Sequence, residues 1–167
     1  IVAGKSCALV TDAGMPAVSD PGSSLVRMAV ERGISVVPVP GPSAVTTAMA
    51  VSGIEAEQFT FVGFLPRKKA DLKVLLLEFV QSRRAMVAYE APHRLRETLQ
   101  AIASVMPDRQ VCIAREITKV HEEFFRGPAR AAMEAYDGRR ILGEITVIVD
   151  GLRGAVAPEQ AADVAAS

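Results

Sequence analysis

Two loops rich in glycine and proline could hold a small polar ligand. The first loop, residues 11–22, reads TDAGMPAVSDPG and lies between a strand-like and a helix-like segment. Glycine lets a ligand approach the backbone closely, and proline fixes a loop before binding. The second loop, residues 38–44, reads PVPGPSA and places Ser43 as a good helix N-cap, beside free amides that suit a carboxylate or phosphate. Ordinary turns would explain either loop alone, but two successive loops favour binding.

Charged residues follow three strand-like segments farther along the chain. The sequences are FLPRKK at 64–69, YEAPHR at 89–94 and AREITK at 114–119. If these strands run in parallel, their ends would form a cationic rim suited to a phosphate-bearing or carboxylated substrate. The rim would contain Arg67, Arg94, Arg115 and Lys119. The alternative to substrate binding is that Glu90–Arg94 and Arg115–Glu116 are structural ion pairs. For any single residue this alternative is the better interpretation.

Composition excludes several classes of protein. Nineteen basic and nineteen acidic residues cancel in 167, so no whole-protein basic field attracts nucleic acid. Aromatic residues make up 5% and tryptophan is absent, which argues against a stacking platform for single strands. Two cysteines and two histidines make no metal cluster. Cys7 and Cys112, each in an apolar run, are predicted to be buried thiols; with no signal peptide or membrane-spanning run, we expect a cytoplasmic protein.

Strand-length apolar runs alternate with helical periodicity, which is typical of an α/β protein. Strands are predicted at residues 7–11, 34–39, 59–64, 85–90, 110–115 and 144–150, with a shorter one at 121–126. Helices are predicted at residues 23–32, 43–51, 70–80, 92–106 and 129–136. A linker near residue 56 divides the chain into a first domain, residues 1–55, and a second α/β domain, residues 56–152. The alanine-rich residues 153–167 are predicted to be a disordered tail.

Six motifs occur in a fixed order and together point to a family. They are TDAGMPAVSDPG, PGPSA, GFLPRK, YEAPHR, AREITK followed by HEE, and GEI at residues 143–145. Over residues 7–150 the chain resembles the bacterial small-subunit rRNA cytidine 2'-O-methyltransferases, of the tetrapyrrole-methylase-like fold group, whose methyl donor is S-adenosylmethionine (SAM). Members begin with a further strand–loop–helix region, so the resemblance implies a two-domain fold whose N-terminal domain is incomplete in this chain.

The resemblance also implies a SAM pocket between the two domains and a homodimer. The first loop would contribute three pocket residues, the second loop two, and the second domain the rest. By motif match these are Gly14, Met15 and Val18; Ser43 and Ala44; and Leu65, Ala114 and the turn from Gly143 to Ile145.

The implied reaction is methylation of a cytidine ribose 2'-hydroxyl in the decoding region of 16S rRNA, within the small ribosomal subunit. Glu90 and Glu116 are candidate proton acceptors, although positioning alone could suffice. Arg94, Arg115 and Lys119 could hold phosphates or lower the pKa of the hydroxyl. The candidate RNA-binding residues are Arg67, Lys68, Lys69, Arg94 and Lys119. A tetrapyrrole methyltransferase and a non-catalytic dimerisation or RNA-docking module remain as alternatives.

Overall fold

A five-stranded mixed sheet organises the computed structural model, which describes residues 3–153. Two helices precede the sheet, α1 (Ser23–Glu31) and α2 (Ala44–Val51). The remaining elements, in chain order, are β1 (Phe59–Phe64), α3 (Lys69–Val80), β2 (Ala85–Glu90), a 3-10 turn (Pro92–Arg94), α4 (Leu95–Val105), β3 (Gln110–Arg115), β4 (Glu123–Pro128), α5 (Ala129–Ala135) and β5 (Ile145–Val149). None of the helices within 3–153 is long and apolar enough to cross a membrane.

The strand order brings three carboxyl ends to one edge of the sheet. The order is β1-β2-β5-β3-β4, in which β1 and β2 are parallel. Strand β5 lies antiparallel between β2 and β3, so β1, β2 and β3 all point in the same direction. The segments that follow these three strands therefore meet at what we call the carboxyl edge.

Helices cover the two faces of the sheet unequally. Helices α3, α4 and α5 bury the first face over a core that includes Met86, Val111 and Val147. On α4, apolar residues at helical spacing fill this core, as the periodicity predicts. Helix α2 packs on the second face, where Val45 and Ala48 join a smaller cluster. Helix α2 precedes residue 56 but packs on strands that follow residue 56. The domain boundary near residue 56 therefore stays a prediction.

The prediction of strands at residues 7–11 and 34–39 is wrong. Neither segment forms a ladder within the described chain, and Val10, Val37 and Val39 are about four-fifths exposed. An apolar run becomes a buried strand only where a neighbour supplies hydrogen bonds and cover, and no described strand does so here. For the same reason Cys7 is exposed, against expectation, whereas Cys112 in β3 is buried. The predicted disordered tail lies outside the described residues except for Arg153.

Candidate functional site

The first and second loops contact each other through glycines. A Cβ added at Gly41 would lie 3.0 Å from Met15 Sδ, and one added at Gly14 would lie 3.7 Å from the Pro42 carbonyl oxygen. Gly14 is exposed and has a φ of 74°, a conformation that side-chain-bearing residues rarely adopt. The two loops that the sequence singles out thus form one surface.

The first loop is held in an unusual backbone conformation. Ala17 and Ser19 have φ values of 66° and 55°, and the Thr11 hydroxyl donates a hydrogen bond to the Asp20 carboxylate. The position where Gly63 of β1 would carry a Cβ lies 3.6 Å from Ser19 Oγ. Left-handed conformations at non-glycine residues cost about 1 kcal/mol each and persist only where the surroundings fix them. The first loop is therefore fixed against the carboxyl edge, with Val18 half-exposed.

Ser43 stands at the N-cap of α2, as predicted, with its backbone extended. Its hydroxyl makes no capping bond to the helix; instead its carbonyl accepts from the Thr47 amide at 3.0 Å and the Thr46 hydroxyl at 3.3 Å. Ser43 and Ala44 are half-buried. The Ser43 side chain is thus available to a ligand rather than consumed by the cap.

The predicted pocket residues of the sheet divide between its two faces. Ala114 belongs to the second face, on which α2 packs. It lies in a row of paired residues that crosses the sheet, with Phe124 on one side and Thr146 on the other. Leu65 and Ile145 instead belong to the core of the first face and are 2% and 3% exposed. Only their backbone atoms could contribute to a pocket on the second face. Thr146, which pairs with Ala114 in the row, was not among the predicted residues, although side-chain alternation from Ile145 would place it on the second face.

Gly143 and Glu116 form a compact polar cluster at the carboxyl edge. Glu116 Oε1 accepts from the Glu144 amide at 2.8 Å and from Lys119 Nζ at 3.1 Å, and Lys119 also contacts Glu144 Oε2 at 3.0 Å. The amide of Glu144 and then Lys119 hold the pKa of Glu116 below its ordinary value. Hydrogen bonds to Glu144 and Glu116 raise the pKa of Lys119. The cluster thus favours an ionised, and weakly basic, Glu116.

Glu90 is buried and fully engaged, with 2% of its surface exposed. Its Oε1 accepts from the Ala91 amide at 2.8 Å and lies 3.2 Å from Arg94, and its Oε2 accepts from the Thr98 hydroxyl. These bonds join the end of β2 to the start of α4. A carboxylate with both oxygens occupied in this way stabilises the corner, and substrate has no route to it.

Most of the predicted cationic rim is paired. Arg94 joins Glu90 and donates to the carbonyls of Leu65 and Pro66 at 3.1 and 2.6 Å. Arg115 pairs at 3.0 Å with Glu123, not with Glu116. Within the described chain, the ion pairs leave one rim residue, Arg67, without a carboxylate, and the same holds for its neighbour Lys68, a candidate RNA-binding residue outside the rim.

A cationic cleft of about 290 Å³ lies between α3 and α4. Helix α3 contributes Lys69 and Lys73, and α4 contributes the polar side chains of Glu97, Thr98, Gln100 and Ser104. The other lining residues are Arg67, Leu72, Arg94 and Ala101. Lys73 was missed, although its i,i+4 spacing from Lys69 could have indicated it. None of the residues predicted to bind SAM lines this cleft.

The sheet, its helices and the paired loops define an α/β methylase fold, and the chain belongs to the tetrapyrrole (corrin/porphyrin) methylases. The family model matches residues 2–132. Among solved structures, the methyltransferase CobJ superposes with a TM-score of 0.60 at 20% identity, over 83% of this chain and 62% of that one. At this identity the likeness shows the fold alone.

Curated relatives are more similar. The ribosomal RNA small subunit methyltransferase I of Thermotoga maritima is 49% identical over 148 residues, which are 89% of this chain and 66% of the relative. The protein of the same name from Halalkalibacterium halodurans is 43% identical over 160 residues, 96% of this chain and 55% of the relative. The chain therefore spans between about half and two thirds of these relatives.

Proposed function

We propose that this chain acts in SAM-dependent methylation of small-subunit rRNA, at the ribose 2'-hydroxyl of a cytidine in the decoding region. The observation that carries the proposal is the meeting of both loops and three strand ends at the carboxyl edge. The names of the relatives, at 43% and 49% identity, support rRNA as the substrate. The substrate is then the small ribosomal subunit or its 16S rRNA, the active form a homodimer, and the location the cytoplasm.

The residues present fit SAM on the second face of the sheet. The exposed backbone of Gly14 and the half-exposed Val18 offer a surface for a flat, partly apolar group, whereas Ala114 is fully buried and would only support that surface from below. Bound SAM would supply an electrophilic methyl group on its sulfonium. Met15, Ser43 and Ala44 would hold it from the loops. Leu65, Gly143 and Ile145 would contribute backbone atoms.

The chain would promote the reaction by positioning rather than by a dedicated base. Glu90 is closed off by its hydrogen bonds, and the lowered pKa of Glu116 makes it a poor proton acceptor. Aligning a hydroxyl with an already reactive methyl group removes much of the entropic barrier. Arg94 and Arg115 would then act as positioning residues: they fix the Leu65–Pro66 segment and the Leu142 carbonyl, respectively.

The α3/α4 cleft and the adjoining cations are suited to RNA phosphates. Arg67 and Lys68 have no carboxylate partner in the described chain, and Lys69 is joined to Glu97 only by an exposed pair at 3.9 Å. Cations without strong internal partners can exchange them for phosphate at little cost. Lys119 lies in the Glu116 cluster and would contact RNA only by leaving it.

The test is transfer of labelled methyl groups from SAM to 16S rRNA or to small subunits, with calorimetric titration of SAM in parallel. The relative from Thermotoga maritima serves as the positive control for the RNA preparation. Product that resists alkaline cleavage at one cytidine places the methyl on its 2'-oxygen. A substrate with 2'-deoxycytidine at that position is the matched negative control.

The proposal is supported if the substrate with cytidine is labelled, the 2'-deoxycytidine control is not, and the chain binds SAM. SAM binding with label accepted by a tetrapyrrole precursor and not by RNA would favour the first alternative. RNA binding without SAM affinity, under conditions where the relative is active, would make the chain a docking module and overturn the proposal.

A further inference from the structure

Three aromatic rings gather at the carboxyl edge, in a chain that contains only eight. The ring of Tyr89 lies 5.0 Å from that of Phe61 and 5.5 Å from that of Phe64, both edge to face. Tyr89 is half-buried between them, whereas Phe64 is 59% exposed. The low aromatic content of the whole chain thus conceals a local concentration where ligand-binding loops meet strand ends.

A bulge in β1 creates this group of rings. Alternation along a strand would place residues 61 and 64 on opposite faces. The register shifts between them, so that Phe61 pairs with Val87 and Phe64 with Tyr89, one extra residue in β1. Gly63, with a φ of 71°, accommodates the extra residue. The bulge therefore brings Phe64 to the second face, which also carries Ala114.

The segment after Phe64 is fixed so that the ring remains in place. Leu65 is buried in the first-face core, its amide donates to the Tyr89 carbonyl at 3.2 Å, and Arg94 holds the carbonyls of Leu65 and Pro66. Arg67 follows within about 10 Å of chain from Phe64, because three residues span no more than that. The exposed ring of Phe64 is thus held rigidly, and an available cation, Arg67, lies three residues farther along the chain.

We propose that Phe64 is the stacking surface for a base of the single-stranded RNA substrate, with Tyr89 and Phe61 supporting it from behind. An aromatic ring next to a cation is the combination that binds a base and its phosphate together, and rigid support lowers the entropic cost of stacking. The inference rests on the proposed rRNA substrate. It assigns Phe64 a role in substrate positioning, separate from the cofactor residues.

The absence of tryptophan makes a direct test possible. Phe64→Trp introduces the chain's single tryptophan. Stacking of a base on the tryptophan ring quenches its fluorescence. The titrants are a short cytidine-rich oligoribonucleotide, an abasic oligomer of the same length and SAM. Phe59→Trp, at the opposite end of β1 and 40% exposed, is the matched control. Binding of fluorescently labelled RNA is followed independently by anisotropy, with the unsubstituted chain as well.

The expected result is saturable quenching of Phe64→Trp by the base-bearing RNA alone, with no response from Phe59→Trp. Phe64→Leu is expected to weaken RNA binding about 5- to 150-fold, the range for losing one base–aromatic stack, and Phe64→Tyr to restore it, with SAM affinity unchanged in both. Quenching by SAM alone would assign the ring to the cofactor and overturn the inference. Bound RNA without quenching would overturn it while leaving the proposed function intact, and no RNA binding by the unsubstituted chain would overturn both.

Discussion

The carboxylate of Glu116 occupies the space that a side chain at Gly143 would need. A Cβ built on Gly143 would lie 2.5 Å from Glu116 Cδ and 2.6 Å from Oε1, and Gly143 has a φ of 92°. Glu116 itself has a φ of 50°, so two adjacent turns adopt left-handed backbone to bring these groups together. The contact allows Glu116 to accept the Glu144 amide and fixes the entry into β5.

Gly143→Ala is therefore expected to destabilise the chain by more than backbone strain alone. A left-handed alanine costs about 1 kcal/mol, and displacing Glu116 adds the loss of its hydrogen bonds, about 1–2 kcal/mol more. Gly138→Ala is the matched control, because Gly138 has a φ of 66° and no atom within 4 Å of its added Cβ. Urea denaturation of both variants measures the difference; equal losses would contradict the predicted contact.

Glu90→Gln tests whether this carboxylate supports structure or accepts a proton. Removing its charge leaves Arg94, 19% exposed, without its partner, and we expect a loss of about 3 kcal/mol in free energy of unfolding. Glu97→Gln, in the exposed pair with Lys69, should cost less than about 0.5 kcal/mol. If Glu90→Gln kept full stability and lost only methyl transfer, the structural role would be wrong and Glu90 would return as a candidate base.

Strands and helices after residue 56 could be predicted closely because both sequence patterns and neighbours agree there. Strands β1, β2 and β3 have the predicted bounds, and each is paired in the sheet. The same kind of apolar run at residues 34–39 forms no strand, since a single sequence does not say whether a neighbouring strand is present to pair with it.

Site residues were harder to predict, because type and spacing do not determine which way a side chain points. The bulge at Gly63 sets the direction of Phe64, and no alternation pattern indicates it. Arg115 pairs with Glu123 across the β3–β4 ladder rather than with its neighbour in sequence, Glu116. Partners of this kind depend on strand register, which a single sequence specifies only weakly.

Acid should lower the free energy of unfolding partly by protonating Glu116. Its folded-state pKa lies below the ordinary value of 4.5, so the stabilisation is complete above that value and is lost as the pH falls through the lowered pKa. We expect the stability difference between the unsubstituted chain and Glu116→Gln to be constant near neutral pH and to shrink in acid. Urea titrations across this range measure it, with exposed Glu57→Gln as control. A difference that is independent of pH would contradict the lowered pKa.

RNA binding should depend on salt through the α3/α4 cleft. Removing one phosphate contact reduces the slope of log affinity against log salt by about 0.7 for a single strand, so Arg67→Gln and Lys73→Gln should each do so. Arg130→Gln, whose side chain pairs with Asp108 away from the cleft, should leave the slope unchanged. Anisotropy at several salt concentrations gives the slopes. Equal slopes in all three variants would place the RNA elsewhere.

Ser43→Trp tests the cofactor surface. Ser43 is half-buried at the start of α2, and its hydroxyl is not used by the helix cap, so a large ring there should obstruct a ligand held by the second loop. We expect SAM affinity to fall at least about tenfold, the equivalent of 1.4 kcal/mol.

Ala50→Trp, exposed near the C-terminal end of α2 and outside both loops, is the control for the added bulk and should bind SAM normally. Calorimetry measures both affinities, and urea denaturation shows whether each variant folds. A folded Ser43→Trp chain that binds SAM as well as the control would move the cofactor away from the second loop. The same variant with RNA binding intact and SAM binding lost would separate the two surfaces, as the placement of the α3/α4 cleft on the opposite face requires.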